Sequence, residues 1–121
     1  MEEVELFARG KKIFTCRLHT TFFSRLRGLM FSPKLEPRRG ILISFSSERK
    51  IDLHMLFVFF PLDLIWVSGS GKIVQIERHV KPFVSYVRGT RAQSVLEVPA
   101  GAAQKLNVGN FLMIKLKREQ S

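Results

Sequence analysis

HMLFVFFPLDLIWVSGSGKIVQIER, residues 54–78, decides how the chain is read. Pro61 has no amide hydrogen to give to a sheet, so a strand is predicted from Leu62 to Ser68, with His54–Phe60 before it as a bend or a separate short strand. Gly69-Ser70-Gly71 then turns the chain into Lys72–Arg78, where Ile73, Val74 and Ile76 are apolar; this is the clearest hairpin in the sequence. A core needs only Leu, Val, Ile and Phe. His54 and Asp63 inside this run must therefore be paired on burial or stand at the edge of a cavity.

Toward the N-terminus, Val4–Ala8 and Lys12–Leu18 alternate around a turn at Gly10 and read as a second hairpin. Thr20 or Thr21 is placed to cap a short helix near 20–30, with Phe22, Phe23, Leu26, Leu29 and Met30 on one side and Ser24, Arg25 and Arg27 outward. A loop over 32–39, a strand over 40–45 and a polar turn over 46–50 follow. Beyond the central hairpin come a basic loop over 79–91, a strand over 94–98, a small helix over 99–107 and a last strand over 111–117. The fold class is mainly β, a β-rich α+β arrangement: a compact antiparallel sheet or barrel with one or two short helices. The 121 residues are enough to bury a core without disulfide or metal, and they read as one domain over 1–121.

The chain begins MEEVELF, acidic where a secretory signal is basic, and the apolar run over 53–67 is shorter than the roughly 20 residues of a membrane span. The expectation is a cytoplasmic protein without membrane contact. A single cysteine, Cys16, suits a reducing compartment and lies in an alternating strand, as a buried inert thiol. Twenty Lys and Arg against ten Asp and Glu give a net charge of +10, which favours weak binding of polyanions through counterion release. The positive charges are spread out rather than gathered in a run. The nucleic-acid alternative rests on Arg38, Arg39, Arg88 and Arg91 and on Phe83 and Tyr86 interleaved with basic residues.

Glu97, in SVLEVPAG, repeats the oddity of Asp63: a carboxylate in an apolar strand before a tight turn. For each of these acids a structural use, such as backbone capping, competes with a binding use, and so it does for His54. Metal ligation is not expected, because His19, His54 and His79 are far apart and no C-x-x-C or H-x-x-x-H occurs. No G-x-S-x-G elbow and no phosphate loop is present, and no cofactor is expected.

The ordered set RLRGLMF (25–31), GILISF (40–45), HMLFVFFPLDLIWV (54–67), GKIVQI (71–76) and VLEVPAGAAQKLNVGN (95–110) resembles the DUF 192 family, in particular its archaeal members. The resemblance covers about residues 15–117 and implies one compact β-rich domain, exported in some bacteria, without a reaction to carry over. Its pattern falls here on Arg27-Gly28-Leu29-Met30, His54-Met55, Pro61, Asp63, Glu97, Pro99 and Gly101. Where many relatives carry an acid before the hairpin glycine, this chain has Val67-Ser68-Gly69, which argues against a cation at the hairpin tip.

The leading expectation is a non-enzymatic binding module that takes a small polar ligand or a partner segment. Its polar cup is expected to be lined by Arg27, His54, Asp63 and Glu97, with walls from Phe57, Phe59 or Trp66. A polyanion adaptor is second. An enzyme using His54 and Asp63 as acid and base is third.

Overall fold

A computed structural model describes residues 2–117. It contains β1 (Glu3–Ala8), β2 (Lys11–His19), α1 (Phe22–Arg27), β3 (Arg39–Lys50), β4 (Leu62–Val67), β5 (Ile73–Val80), β6 (Arg91–Pro99) and β7 (Met113–Leu116). The seven strands form one sheet in the order β5-β4-β6-β3-β2-β1-β7. Both predicted hairpins are present. The sheet is mixed rather than purely antiparallel, because β2 and β3 run parallel and the chain between them crosses over through α1. Backbone bonds from Ile73 N–H to Asn110 O (2.8 Å) and from Leu112 N–H to Gly71 O (2.8 Å) bend the β5 end toward the approach to β7. The two edge strands do not pair, so the sheet curls without closing into a barrel.

Alternation along the strands divides the apolar residues between two faces. On β4, Leu62, Leu64 and Trp66 belong to one cluster with Ile41, Ile43 and Val95, while Ile65 and Val67 belong to another with Leu42, Leu96 and Val98. Cys16 is fully buried in the second cluster, where desolvation pushes its thiol up to about 12 and leaves it unreactive at neutral pH.

Asp63 lies on the face of Ile65 and Val67. Its carboxylate accepts three backbone N–H groups: His79 at Oδ1 (2.9 Å), Gly101 at Oδ2 (3.0 Å) and Ala103 at Oδ2 (3.2 Å). These bonds explain why the predicted helix over 99–107 is absent and a run of turns takes its place. The Ala103 amide goes to Asp63 rather than to the Pro99 carbonyl, and Gly101 sits at φ +88°, outside helical space. The residues of 46–50, expected as a turn, continue β3 past an irregular step in its pairing with β6.

α1 is shorter than the sequence spacing suggests. Thr21 caps it reciprocally with Ser24, and Gly28 at φ +50° ends it well before Pro33. Its apolar residues are not buried: Phe22, Phe23 and Leu26 are 67%, 78% and 57% exposed. With one and a half turns the helix has too few residues to lay a whole face on the sheet. It is tethered by polar contacts instead, among them His19 Nδ1–H donating to Ser24 O (2.6 Å) and Arg25 donating to Thr20 O.

Replacing Asp63 by Asn keeps the shape but turns an N–H₂ toward at least one buried amide. Urea unfolding should show a loss of about 1–3 kcal/mol. A variant as stable as the parent would mean that these donors do not depend on the carboxylate.

Candidate functional site

A pocket of about 280 Å³ opens between α1 and the segment over 49–58, on the sheet face that carries Leu64 and Trp66. Its walls come from Leu26, Leu29, Ile43, Ile51 and Val58. Glu97 supplies a carboxylate from β6, where it pairs with Ile41 on β3 and Leu64 on β4. The residue is only 5% exposed, and no side-chain hydrogen bond or ion pair holds it among the described residues. Desolvation alone acts on it and pushes its carboxyl up to about 7. Gly28 backs onto this carboxylate: a Cβ there would meet Glu97 Oε1 at an ordinary contact distance of 3.4 Å, and it is the φ of +50° that favours glycine.

Positive charge lines the same pocket. The Arg25 guanidinium lies 4.4 Å from the centre of the Phe45 ring and that of Arg49 4.9 Å from it, both in cation–π contact. Arg25, Arg27 and Arg49 have no carboxylate partner among the described residues. Asp52 is the second acid of the lining; it is committed to Gly89 N–H (2.8 Å) and to Lys50 (3.5 Å). His54 also lines the pocket, and its Nδ1 accepts Leu56 N–H (3.1 Å), so a neutral ring carries its proton on Nε2.

Of the residues expected in a polar cup, Arg27, His54 and Glu97 share this pocket, while Asp63 and Trp66 do not. Sheet pairing gives the reason. Leu64 lies opposite Glu97 and Asp63 opposite Val98, so the two acids project from opposite faces. Asp63, bound by three amides there, forms no acid–base pair with His54 and no ion pair with Arg25 or Arg27. Trp66 is fully buried and donates from Nε1 to Ile51 O (2.7 Å), which fixes the start of the pocket's outer wall from beneath. Gly89 permits this arrangement, since a Cβ there would collide with both Ile51 O and Trp66 Nε1.

Phe57 and Phe59 stand outside the pocket in an exposed aromatic crest. Phe31 and Phe57 stack at 4.9 Å between centroids, and Phe83 meets Phe57 and Phe59 edge-on at 5.9 and 5.1 Å. Phe31, Phe57 and Phe83 all have positive φ, at 59°, 57° and 65°. Bonds from Phe31 N–H to Phe57 O and from Phe83 N–H to Met55 O, each 2.8 Å, hold them there.

The four arginines of the polyanion alternative do not gather. Arg39 begins β3, whereas Arg91 pairs with Lys50 at its far end, roughly 30 Å away at strand rise. Arg39 is also paired with Glu3 (3.0 Å) and Arg91 with Glu48 (3.7 Å). Sequence reasoning missed Arg25, Phe45 and Arg49 as pocket residues. Phe45 and Arg49 are four apart and share a strand face, a signal visible only if 46–50 is read as strand. No group of three or more potential metal ligands occurs among the described residues.

Glu97 makes stability depend on pH. Its carboxyl is raised to about 7 in the folded chain against 4.5 for the free group, so the native state binds more protons between those values and loses stability as pH rises through them. The loss should total about 3 kcal/mol and level off above the folded value. In Glu97→Gln that part of the slope should vanish in urea unfolding at a series of pH values. An identical slope in parent and variant would show that Glu97 is not held desolvated.

Comparison with known proteins agrees with this architecture. A UPF0127 protein of Thermococcus sibiricus is 28% identical over 114 residues, covering 91% of this chain and 73% of its own length. One from Thermococcus kodakarensis is 27% identical over 92 residues, covering 76% of this chain; the match spans 58% of that relative, less than two thirds of it. A Sinorhizobium meliloti protein, whose crystal structure carries a provisional transcription-regulator label, matches with a TM-score of 0.83 at 25% identity over 93% of this chain and 92% of its own. A Novosphingobium aromaticivorans protein of unknown function shares the fold with a TM-score of 0.79 at 21% identity, covering 92% of this chain and 83% of its own. The family model of DUF192, described as Uncharacterized ACR, matches residues 4–114, and the chain belongs to that family.

Proposed function

We propose that this domain is a non-enzymatic binding module that holds a small polar ligand, or a short segment of a partner, in the pocket lined by Arg27, His54 and Glu97. The observation that carries the reading is Glu97: a buried carboxylate without a partner, bordering a preformed cavity with apolar walls. An isolated buried acid costs stability, and a core that required only packing would place Leu or Val there. A ligand that donates to it recovers that cost on binding, which is the usual signature of a site shaped for an occupant. The setting we propose is cytoplasmic and away from the membrane. A single buried cysteine suits a reducing compartment. No helix among the described residues is long and apolar enough to cross a bilayer.

The test is a fragment screen read by ¹H–¹⁵N correlation spectra of the whole chain. Fragments that bind should move the amides of Gly28, Leu29, Leu53, His54 and Glu97 together, and Glu97→Gln should weaken them. Hits clustered elsewhere, or a library that leaves these amides unmoved, would overturn the reading.

A further inference from the structure

The pocket lining carries charge of both signs, and that pairing points to a ligand class. Glu97, paired with Ile41 four residues before Phe45 on β3, offers two acceptor oxygens beside Gly28, and no ion pair to it occurs among the described residues. Elsewhere in the lining stand Arg25 and Arg49 against Phe45, Arg27 and the His54 imidazole. The apolar residues Leu29, Ile43 and Val58 complete the lining. A simple cation that could satisfy Glu97 meets the guanidinium groups. A simple anion that could satisfy these meets a buried carboxylate. A molecule carrying both signs, separated by a short apolar body, matches each charge in turn and enters without net charge.

Resting on the binding role proposed above, we infer that the pocket takes a small zwitterion. Its primary ammonium donates to Glu97, and its carboxylate accepts from Arg25 and Arg49. The cavity of about 280 Å³ has room for about nine non-hydrogen atoms, taking ~30 Å³ for each water-sized group. That sets the enclosed part of the ligand at the size of one amino acid or a short ω-amino acid. Phe45 strengthens the anion end by fixing two guanidinium groups whose long side chains would otherwise lose conformational freedom on binding.

Isothermal titration calorimetry at low ionic strength tests this with 4-aminobutanoate, 6-aminohexanoate and 8-aminooctanoate against hexanoate and hexylamine. The best ω-amino acid should bind at least about ten-fold tighter than either single-charge probe, since each end adds a charge-assisted hydrogen bond. Glu97→Gln should remove the advantage over hexanoate, and Arg49→Gln the advantage over hexylamine. Arg49 is exposed, so its variant should fold as the parent does. Equal affinity for hexanoate or hexylamine, or zwitterion binding indifferent to both substitutions, would overturn the ligand class. If fragments occupy the pocket while every ω-amino acid fails, the class falls and the binding role stands. If both sets leave the pocket untouched, both fall.

Discussion

One carboxylate ties together three parts of the chain that no continuous strand connects. Asp63 reaches His79 at the end of β5 and Gly101 and Ala103 in the turns after β6, so one side chain fastens both neighbours of β4 at the same end and fixes the path of the chain beyond Pro99. Three amide donors satisfy the carboxyl oxygens without a cation, which allows burial on the face packed with Ile65 and Val67. Glu97 sits on β6, inside the sheet between β4 and β3, and the pocket takes its carboxylate from the face which that register gives it.

The two acids show how a sheet sorts chemistry by parity. Each interrupts an apolar strand and each lies close to a tight turn, yet one is saturated by backbone and the other has no partner. The difference comes from pairing rather than composition: Asp63 meets the turn that folds back on its own face, whereas Glu97 meets an opening beneath α1. Saturation makes the first a structural element. The second borders a pocket with no donor of the protein on it, and its burial carries a cost in stability that must be met by the apolar packing of Ile41 and Leu64 beside it.

Much of the strand framework was legible, because the Gly-Ser-Gly hairpin and the alternation over 3–18 are local signals that tertiary structure had no reason to override. Candidate residues His54 and Glu97 stood out as polar interruptions of apolar runs, and Arg27 through the family resemblance alone; all three line one pocket. The pairing of faces was not legible, since it depends on a register that sets Leu64 opposite Glu97 and Asp63 opposite Val98, 33 and 35 residues apart in the chain. For the same reason the amides that dissolve the helix after Pro99 could not be read locally: their acceptor lies 38 and 40 residues earlier. The outward apolar face of α1 escaped because spacing of three and four reports a helical face and not what covers it.

The phenylalanine crest bears on the shape of the pocket. A bulky residue in the left-handed region costs about 1–3 kcal/mol of strain, and Phe31, Phe57 and Phe83 each sustain it while 62%, 44% and 46% exposed. Detaching this rim would release three strained torsions but uncover Met55, Val58 and Phe60, which flank Phe57 and are buried in the core, so packing holds the strain in place. Strain and packing therefore meet in one segment: Val58, next to Phe57, is both a core residue and part of the pocket wall, so a change of backbone at the crest is passed directly to the shape of the pocket.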